Sequence, residues 1–526
     1  SRVRSSFELE VPLRALFEAP TVGELAGRVE AARRADGRRA APPLVRVARD
    51  GKLPLSFAQQ RLWFLDQLES GSASYNIPLA VRFEGVLDAA VLEKSLGEVV
   101  RRHEALRTTF ALVDGQAVQR VQPAEGFVLH VENLSGLPAA RREEEARARV
   151  GAEARRPFDL GRDLMLRASL LRLAEREHVL VVNMHHIASD GWSVGVLMRE
   201  LAALYEAHAR GQQATLPELS VQYADYAVWQ RGWLKDEVLG EQVAYWKQKL
   251  AGAAPLELPT DKPRPATQTY RGAALAARLP RELSQRLNAL ARQEGVTPFM
   301  LLLAAWQVLL HRYSGQQDIS VGMPIAGRRQ AEVEGLIGFF VNTLVVRAQV
   351  EGAKSFRELL AQVKETTLGA YAHQDVPFEK LVEELRPERD LGRTPLFQVM
   401  FSLQNAPMPE LEVEGLKLRP VEVRRDTAKF DLSLFLHEDA DGLRGSLEYS
   451  TDLYEAGTVE RMLGHYQRLL ESVVEKPEAC LDEVVLLGEA EREQVLKGWN
   501  TLLPTPEVGG GLHELFEAQV EATPEA

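Results

Sequence analysis

The chain has 526 residues, more than one hydrophobic core normally holds, so two or more domains are expected. Hydrophobic residues make up 45% and charged residues 26%, the balance of a soluble globular protein. The formal net charge of −12, with acids and bases interspersed, argues against a nucleic-acid-binding surface. The single cysteine, Cys480, excludes an internal disulfide and a thiolate metal cluster.

The N-terminal stretch SRVRSSFELE lacks the apolar segment of a signal peptide. The longest apolar run, FMLLLAAWQVLL at residues 299–310, is too short to cross a bilayer and predicts a buried helix. We therefore expect a cytoplasmic protein that contacts no membrane.

Residues 1–36 predict a small helical unit. The sequence TVGE, Thr21 to Glu24, is a capping box, in which the hydroxyl and the carboxylate each accept a backbone N–H of the other residue. Glycine, proline and charge then break the helical pattern in RADGRRAAPP, which predicts a linker over residues 37–52.

Residues 53–225 mix predicted strands and helices. YNIPLAVRF and the pair RASLLRLA and HVLVVNMHH predict strands, whereas DAAVLEKSLGEVVRRH and SVGVLMRELAALYEAHARG have helical spacing. Because strands and helices do not alternate strictly, we expect an α/β fold with mixed sheets.

Residues 226–487 repeat part of this order. A hairpin, KFDLSLFLHEDADGLRGSLEYS, precedes the helical GTVERMLGHYQRLLESV, as a hairpin and a helix do in the first half. The turn between them carries TDLYEAG where the first half carries HHIASDG. This predicts two related lobes of which one kept the chemistry, with chance similarity of α/β segments as the alternative. Residues 488–526 predict a linker and the start of another element.

The stretch VLVVNMHHIASDGWS, residues 179–193, ends a predicted strand in two histidines. Neighbouring strand residues point to opposite faces, so His185 and His186 cannot share one cavity or one metal, and no ligand spacing supports zinc. One ring is expected to act as a general base, the alternative being a hydrogen-bonded core histidine. Asp190 is expected to shape the turn, and it requires a cation if it is buried.

The sequence GWSVG matches the nucleophile elbow of serine hydrolases, with Ser193 as the nucleophile. An elbow requires the strand to end directly at the turn, but here the strand ends near His186 and IASD intervenes. We therefore expect Ser193 to be the helix N-cap. Phosphate-binding glycine loops are missing from the sequence, which argues against a bound nucleotide.

MHHIASDGWS resembles the His-His-x-x-x-Asp-Gly signature of condensation domains in nonribosomal peptide synthetases, which are related to chloramphenicol and other CoA-dependent acyltransferases. Six further stretches resemble other motifs of that family, in the family's order, and the likeness covers residues 53–487. They are LSFAQQRLWFL, RHEALRTTF, YADYAVWQ, IGFFVNTLVVR, HQDVPFEKLV and RDLGRTPLFQVMF.

The flanks resemble neighbouring modules of such synthetases. Residues 1–36 are similar to the end of a peptidyl carrier protein, whose pantetheine-bearing serine would precede Ser1, and residues 488–526 to the start of an adenylation domain. The resemblance implies a pseudodimer of two chloramphenicol-acetyltransferase-like lobes in a V. The N-lobe would comprise residues 53–225 and the C-lobe residues 226–487, with a tunnel between them.

The resemblance also implies the reaction. An upstream donor carrier and a downstream acceptor carrier each present a thioester on phosphopantetheine, and the acceptor amine attacks the donor thioester. The domain would need no cofactor or metal of its own and would be monomeric as a fragment, beside its adenylation domain.

Roles for the site residues follow from the same resemblance. His186 would face the tunnel as the base or as a group that positions the amine, and His185 would support the turn. Arg107 would pair with Asp190. The helix N-terminus and Gly191 would lie close to the oxyanion. Trp192 and Ser193 would support the turn.

The subtype rests on smaller details. His185 argues against heterocyclisation, and the order Asp-Gly-Trp-Ser argues against epimerisation. The domain looks most like those that join an L-configured donor to an L-acceptor. A noncatalytic recruitment domain is the other alternative, but such domains usually lose the second histidine, and His186 is present.

Overall fold

The computed structural model describes residues 3, 7, 11, 14–34, 41–68, 71–386, 390–404, 412–413, 415–423, 426–500 and 511–525. The helices in these parts are α1 (Arg14–Glu18), α2 (Val22–Arg34), α3 (Phe57–Leu68), α4 (Ala89–Arg102), α5 (Ala139–Arg155), α6 (Gly191–Ala209), α7 (Tyr223–Trp233), α8 (Asp236–Leu250), α9 (Arg281–Gln293), α10 (Pro298–Ser314), α11 (Phe356–Ala372), α12 (Phe378–Leu385), α13 (Ala456–Glu475), α14 (Glu489–Glu493) and α15 (Leu512–Ala522). The strands are β1 (Leu53–Pro54), β2 (Asn76–Gly85), β3 (Thr108–Val113), β4 (Gln116–Val121), β5 (His130–Asn133), β6 (Leu166–Ala174), β7 (Glu177–His185), β8 (Gly272–Pro280), β9 (Asp318–Ile325), β10 (Asn342–Gln349), β11 (Val399–Gln404), β12 (Glu412–Val413), β13 (Leu416–Val421), β14 (Leu432–Asp439) and β15 (Gly442–Ser450).

The first large sheet has the strand order β12-β13-β2-β7-β6-β5. Strand β7 lies inside this sheet and is buried on both faces, which explains its nearly continuous apolar sequence. Leu180 and Val182 pack in a core with α4 and α6, whereas Val179 and Val181 pack with α5. This double burial fixes the end of β7, where the histidines lie.

The second large sheet has the order β10-β9-β11-β14-β15-β8. Helix α10 packs against it and is buried from Met300 to Leu310, which confirms the predicted buried helix. A helix that is apolar on every side is stable only inside a core. Among the described helices, none alone has the length and apolar composition of a membrane span; the bent pair α9–α10, at 105°, reaches them only together.

The two sheets repeat one pairing pattern. In the first, β2 pairs with β7 and β7 with β6 antiparallel, and β6 pairs with β5 in parallel. In the second, β8 pairs with β15 and β15 with β14 antiparallel, and β14 pairs with β11 in parallel. The repeat predicted from the two hairpins is therefore present, and the α/β fold of two related lobes is confirmed.

Two features of the structure cross the predicted division between residues 225 and 226. Helix α7 runs across it, and strand β13, from the second half of the chain, pairs antiparallel with β2 in the first sheet. A strand pairs its backbone wherever an open sheet edge is available, and the edge of β2 is such a place.

The N-terminal flank contains the predicted capping box. The Thr21 N–H donates to Glu24 Oε2 (3.1 Å), and the Glu24 N–H donates to Thr21 Oγ1 (3.3 Å). In the linker, the Val47 N–H donates to Asp225 Oδ1, and Arg49 binds the same carboxylate. The described part of the linker, residues 41–52, is therefore held on the first lobe.

Candidate active site

The candidate site is the junction between β7 and α6. Strand β7 ends at His185, residues 186–188 form one 3-10 turn, and α6 begins at Gly191. The His186 N–H donates to the carbonyl of Tyr75 (2.8 Å), which joins the turn to the chain before β2.

His185 is buried, with 4% of its surface exposed. Its Nδ1 accepts the N–H of Ile187 (3.2 Å), and the rings of Phe158 and Tyr75 lie beside it. Burial, together with the positive charges of Lys429 and Arg167, lowers the pKa of His185 to about 3. The ring is therefore neutral at physiological pH and holds the turn through its acceptor nitrogen.

His186 is half-buried and differs in its hydrogen bonding. Its Nδ1 lies 3.1 Å from the carbonyl oxygen of Ser189, and because a carbonyl only accepts, Nδ1 carries a proton. In the neutral ring Nε2 is then the basic nitrogen. The ring of Phe339 meets this imidazole edge to face, with the centroids 5.2 Å apart.

Asp190 is buried and caps the N-terminus of α6. Its Oδ1 accepts the backbone N–H (2.9 Å) and the hydroxyl (2.7 Å) of Ser193, and its Oδ2 accepts the Phe340 N–H (3.0 Å). The predicted N-cap role of Ser193 is therefore wrong: Asp190 is the cap and Ser193 is the third helical residue. Aspartate is among the strongest N-cap residues because its carboxylate accepts the unpaired N–H groups of the first turn.

The cation that pairs with Asp190 is Arg328, not Arg107 as predicted. The Arg328 guanidinium lies 3.2 Å from Asp190 Oδ1, and 1% of its side chain is exposed. Arg107 donates its hydrogen bonds instead to the carbonyls of Gln122 and Arg101. Burial lowers the pKa of Arg328, and Asp190 opposes this shift, but a guanidinium remains charged. The prediction that a buried Asp190 requires a cation is correct, whereas the choice of partner is not.

The other predicted site residues also lie at this junction. The Trp192 indole N–H donates to the carbonyl of Glu334 (2.9 Å), and the buried Ser193 hydroxyl accepts from Arg328 (2.9 Å). Gly191 is exposed, and apart from its chain neighbours and the backbone of its own helix no described atom lies within 4 Å of the position that a Cβ would take. The side chains of the protein do not fill this position. That the oxyanion lies close to Gly191 stays a prediction.

Two recesses lie near the histidine pair. One lies along Phe339, the ring that contacts His186, and the other lies along His185. The first is lined mainly by Tyr226, Trp229, Trp233, Phe340, Arg329 and Asp375. The second is lined by Leu62, Leu65, Asp66, Ser72, Ser74, Tyr75, Tyr270 and Lys429. Tyr270 and Lys429 belong to the second half of the chain, so both halves contribute to the surroundings of the site.

Within the parts of the chain that the structure describes, no three His, Cys, Asp or Glu side chains form a group suited to a metal ion. A cavity of about 620 Å³ lies between α5 and the β5–β6 edge and does not include either histidine.

Comparison with known proteins gives matches to one family. The model of the family described as "Condensation domain" matches residues 49–496. One of the linear gramicidin synthase proteins of Brevibacillus parabrevis is 52% identical over 503 residues, which is 95% of this chain and 10% of that protein. Malpinin synthetase of Mortierella alpina is 42% identical over 523 residues, 99% of this chain and 7% of that protein. The chain thus spans about a tenth or less of the length of these relatives.

Solved structures have the same fold. The X-domain from teicoplanin biosynthesis is 32% identical, with a TM-score of 0.77, and covers 85% of this chain and 100% of its own. The first condensation domain of the calcium-dependent antibiotic synthetase, in complex with a substrate analogue, has a TM-score of 0.70 at 22% identity, covering 84% and 100%. At this identity the second likeness concerns the fold alone.

Proposed function

Because the chain belongs to the condensation-domain family of nonribosomal peptide synthetases, we propose that it forms a peptide bond between two carrier-bound substrates. The donor is an aminoacyl or peptidyl thioester, and the nucleophile is the α-amine of an acceptor aminoacyl thioester. The observation that carries the proposal is His186, a half-buried imidazole whose Nδ1 donates to the Ser189 carbonyl and which packs against the Phe339 ring.

The chemistry of the step fits such a base. The neutral amine forms a C–N bond with the thioester carbonyl, and its proton passes to His186 Nε2. Collapse of the tetrahedral intermediate breaks the C–S bond, and the pantetheine thiolate leaves and takes a proton. An α-amine has an ordinary pKa of about 7.7–8.0 and histidine about 6.5. Proton transfer from the amine to the imidazole is therefore favourable once C–N bond formation lowers the pKa of the amine nitrogen. The N-terminus of α6 offers the positive end of a helix dipole to the oxyanion.

The domain itself would use no cofactor, since the carriers bring phosphopantetheine. We propose the upstream donor carrier, the downstream acceptor carrier and an adjacent adenylation domain as its partners, on the likeness of residues 1–36 and 488–526 to those modules. The L-donor and L-acceptor subtype and the cytoplasmic location stay predictions.

Epimerisation and noncatalytic recruitment are the alternatives on the same fold. A similar X-domain has been solved in complex with OxyB, which supports recruitment, whereas the intact His186 and its fixed tautomer favour catalysis. The order Asp-Gly-Trp-Ser disfavours epimerisation, as the family resemblance implies.

The test supplies a loaded donor carrier and a loaded acceptor carrier and measures dipeptidyl carrier by mass spectrometry. We expect product with the wild type, a loss of about 10²–10⁴-fold in His186→Ala, and little change in the control Thr451→Ala, at the matching turn of the second lobe. If wild type and His186→Ala give equal product across several aminoacyl pairs, the catalytic proposal fails. Comparing L- with D-configured donors tests the subtype.

A serine hydrolase using Ser193 is the alternative from another class. The Ser193 side chain is buried, and its hydroxyl is bonded within the Asp190 cap. We expect a fluorophosphonate probe to leave the folded protein unlabelled, and stoichiometric labelling at Ser193 would restore the hydrolase hypothesis.

A further inference from the structure

Four consecutive residues, 337–340, are each held by a side chain of the first lobe. This segment lies between β9 and β10 and passes directly beside the candidate site. The bonds are Ile337 N–H to His103 Nδ1 (3.2 Å), Gly338 N–H to Ser193 Oγ (3.1 Å), Tyr223 hydroxyl to the Phe339 carbonyl (2.7 Å) and Phe340 N–H to Asp190 Oδ2 (3.0 Å).

The segment also packs closely. A Cβ on Gly338 would lie 2.2 Å from Cδ2 of Tyr223, so only glycine lets the backbone rest on that ring. The segment delivers the Phe339 ring to His186, with a centroid distance of 5.2 Å. Small shifts of residues 337–340 would therefore move the ring that packs on the candidate base.

His103 lies outside the β7–α6 junction, and its two ring nitrogens bond Ile337 and Glu200. Its side chain is fully buried. Because a backbone N–H donates to its Nδ1, the proton lies on Nε2, which donates to Glu200 Oε2 (3.0 Å).

Glu200 keeps this tautomer in place. Burial raises the pKa of Glu200, but hydrogen bonds from His103 and Arg102 outweigh burial, so its pKa lies below the ordinary value. A carboxylate can only accept, which holds the His103 proton on Nε2 and leaves Nδ1 as an acceptor. Glu200, His103 and the Ile337 N–H thus form a chain of two hydrogen bonds, which we call the relay, although no proton moves along it.

We propose that His103 is a positioning residue for the reaction: it fixes Ile337, and through the clamped segment it sets the Phe339 ring against His186. The effect of His103 on the reaction rate rests on the proposed function, whereas its hydrogen bond with Ile337 does not. The residue never touches substrate. Its effect is on how often His186 is correctly placed, which enters kcat more than KM.

Two substitutions separate the two bonds of His103. His103→Gln reaches the position of Nε2 and keeps a donor for Glu200, but it loses the acceptor for Ile337. His103→Asn keeps an oxygen near Nδ1 for the Ile337 N–H and loses the bond to Glu200. We expect kcat in His103→Gln to fall about tenfold below that of His103→Asn, with similar KM. The control is His208→Gln, since the His208 ring bonds Ser95, away from residues 337–340.

Equal kcat values in the two His103 variants would overturn the proposal. Two measurements do not depend on activity. In the wild type, ¹⁵N NMR should show His103 protonated on Nε2, and hydrogen exchange of the Ile337 amide should be faster in His103→Gln than in His103→Asn. A proton on Nδ1, or equal exchange, refutes the relay. Absence of product in the wild type, with the NMR and exchange results as expected, refutes the proposed function and leaves the relay in place.

Discussion

The β7–α6 and β15–α13 junctions have the same backbone frame and different contents. In each, the second strand of a hairpin ends, residues 186–190 or 451–455 follow, and a helix begins. This alignment puts Thr451 opposite His186 and Glu455 opposite Asp190. The frame therefore belongs to the repeated fold, and the chemistry depends on which side chains occupy it.

The helix caps differ between the two junctions. Asp190 caps its own helix with its side chain, whereas Glu455 makes no side-chain cap. In the second lobe the carboxylate comes from elsewhere: Asp261 accepts the Glu455 N–H (2.8 Å) and the Thr458 hydroxyl (2.9 Å). Because the Asp261 carboxylate belongs to another segment of the chain, its hydrogen bonds hold that segment across the junction.

That segment is hydrogen-bonded along the second junction. The Asp261 N–H donates to the Leu453 carbonyl, Lys262 Nζ donates to the Thr451 carbonyl, and the Thr451 N–H donates to the Arg271 carbonyl. In the first lobe, by contrast, the equivalent turn places a half-buried His186 against the ring of Phe339.

The largest difference is expected for the caps themselves. Asp190→Asn strands the buried Arg328 charge and should lower the free energy of unfolding by roughly 3–5 kcal/mol. Glu455→Gln should change it by less than about 0.5 kcal/mol, because Glu455 is exposed and makes no cap. Urea denaturation measures both. Similar losses in the two variants would show that the ion pair does not stabilise the first junction.

A second difference concerns how the stability of the protein depends on pH. We expect such a dependence from His185, the last residue of β7, but not from Ser450, the last residue of β15. The pKa of His185 is about 3 in the folded chain and about 6.5 when unfolded, so the unfolded state binds the extra proton between these values. Stability from the neutral ring is complete above pH 6.5 and is lost as pH falls toward 3, by up to about 1.4 kcal/mol per unit.

His185→Asn keeps an acceptor for the Ile187 N–H and should remove this slope between about pH 6.5 and 4.5. Ser450→Ala should leave it unchanged. Denaturation at several pH values decides the matter, and an identical slope in His185→Asn would mean that other groups cause it.

The smallest effect is expected for Asp261, which supplies the carboxylate at the second junction. Asp261→Ala should lower the free energy of unfolding by about 1 kcal/mol, a usual loss for one N-cap carboxylate, and should leave peptide-bond formation intact. Glu460→Ala, an exposed position on α13, is the control. A loss of activity in Asp261→Ala with unchanged stability would show that the second junction takes part in the reaction.

The sequence predicted whatever depends on local pattern. The hairpins, the buried α10 and the Thr21–Glu24 capping box follow from periodicity and capping rules, and the fold follows from the motifs. The cap at Asp190 was within reach of the same rules, because aspartate directly before an apolar helix is a stronger signal than a serine inside it.

Long-range pairings were out of reach. Arg328 lies 138 residues from Asp190, and nothing local to GRR at 327–329 marks one arginine as the buried partner. The position of β13 in the first sheet could not be predicted for the same reason, since strand propensity says which residues extend but not which edge they pair with.

The placement of β13 has a consequence for biosynthesis. The first sheet is completed by residues 416–421, which leave the ribosome after most of the second lobe has been made. Until then β2 presents an open edge, the kind of surface that pairs with other chains. The two lobes thus cannot mature one after the other. The nascent first lobe must be kept apart from its neighbours on the polysome while the second is translated.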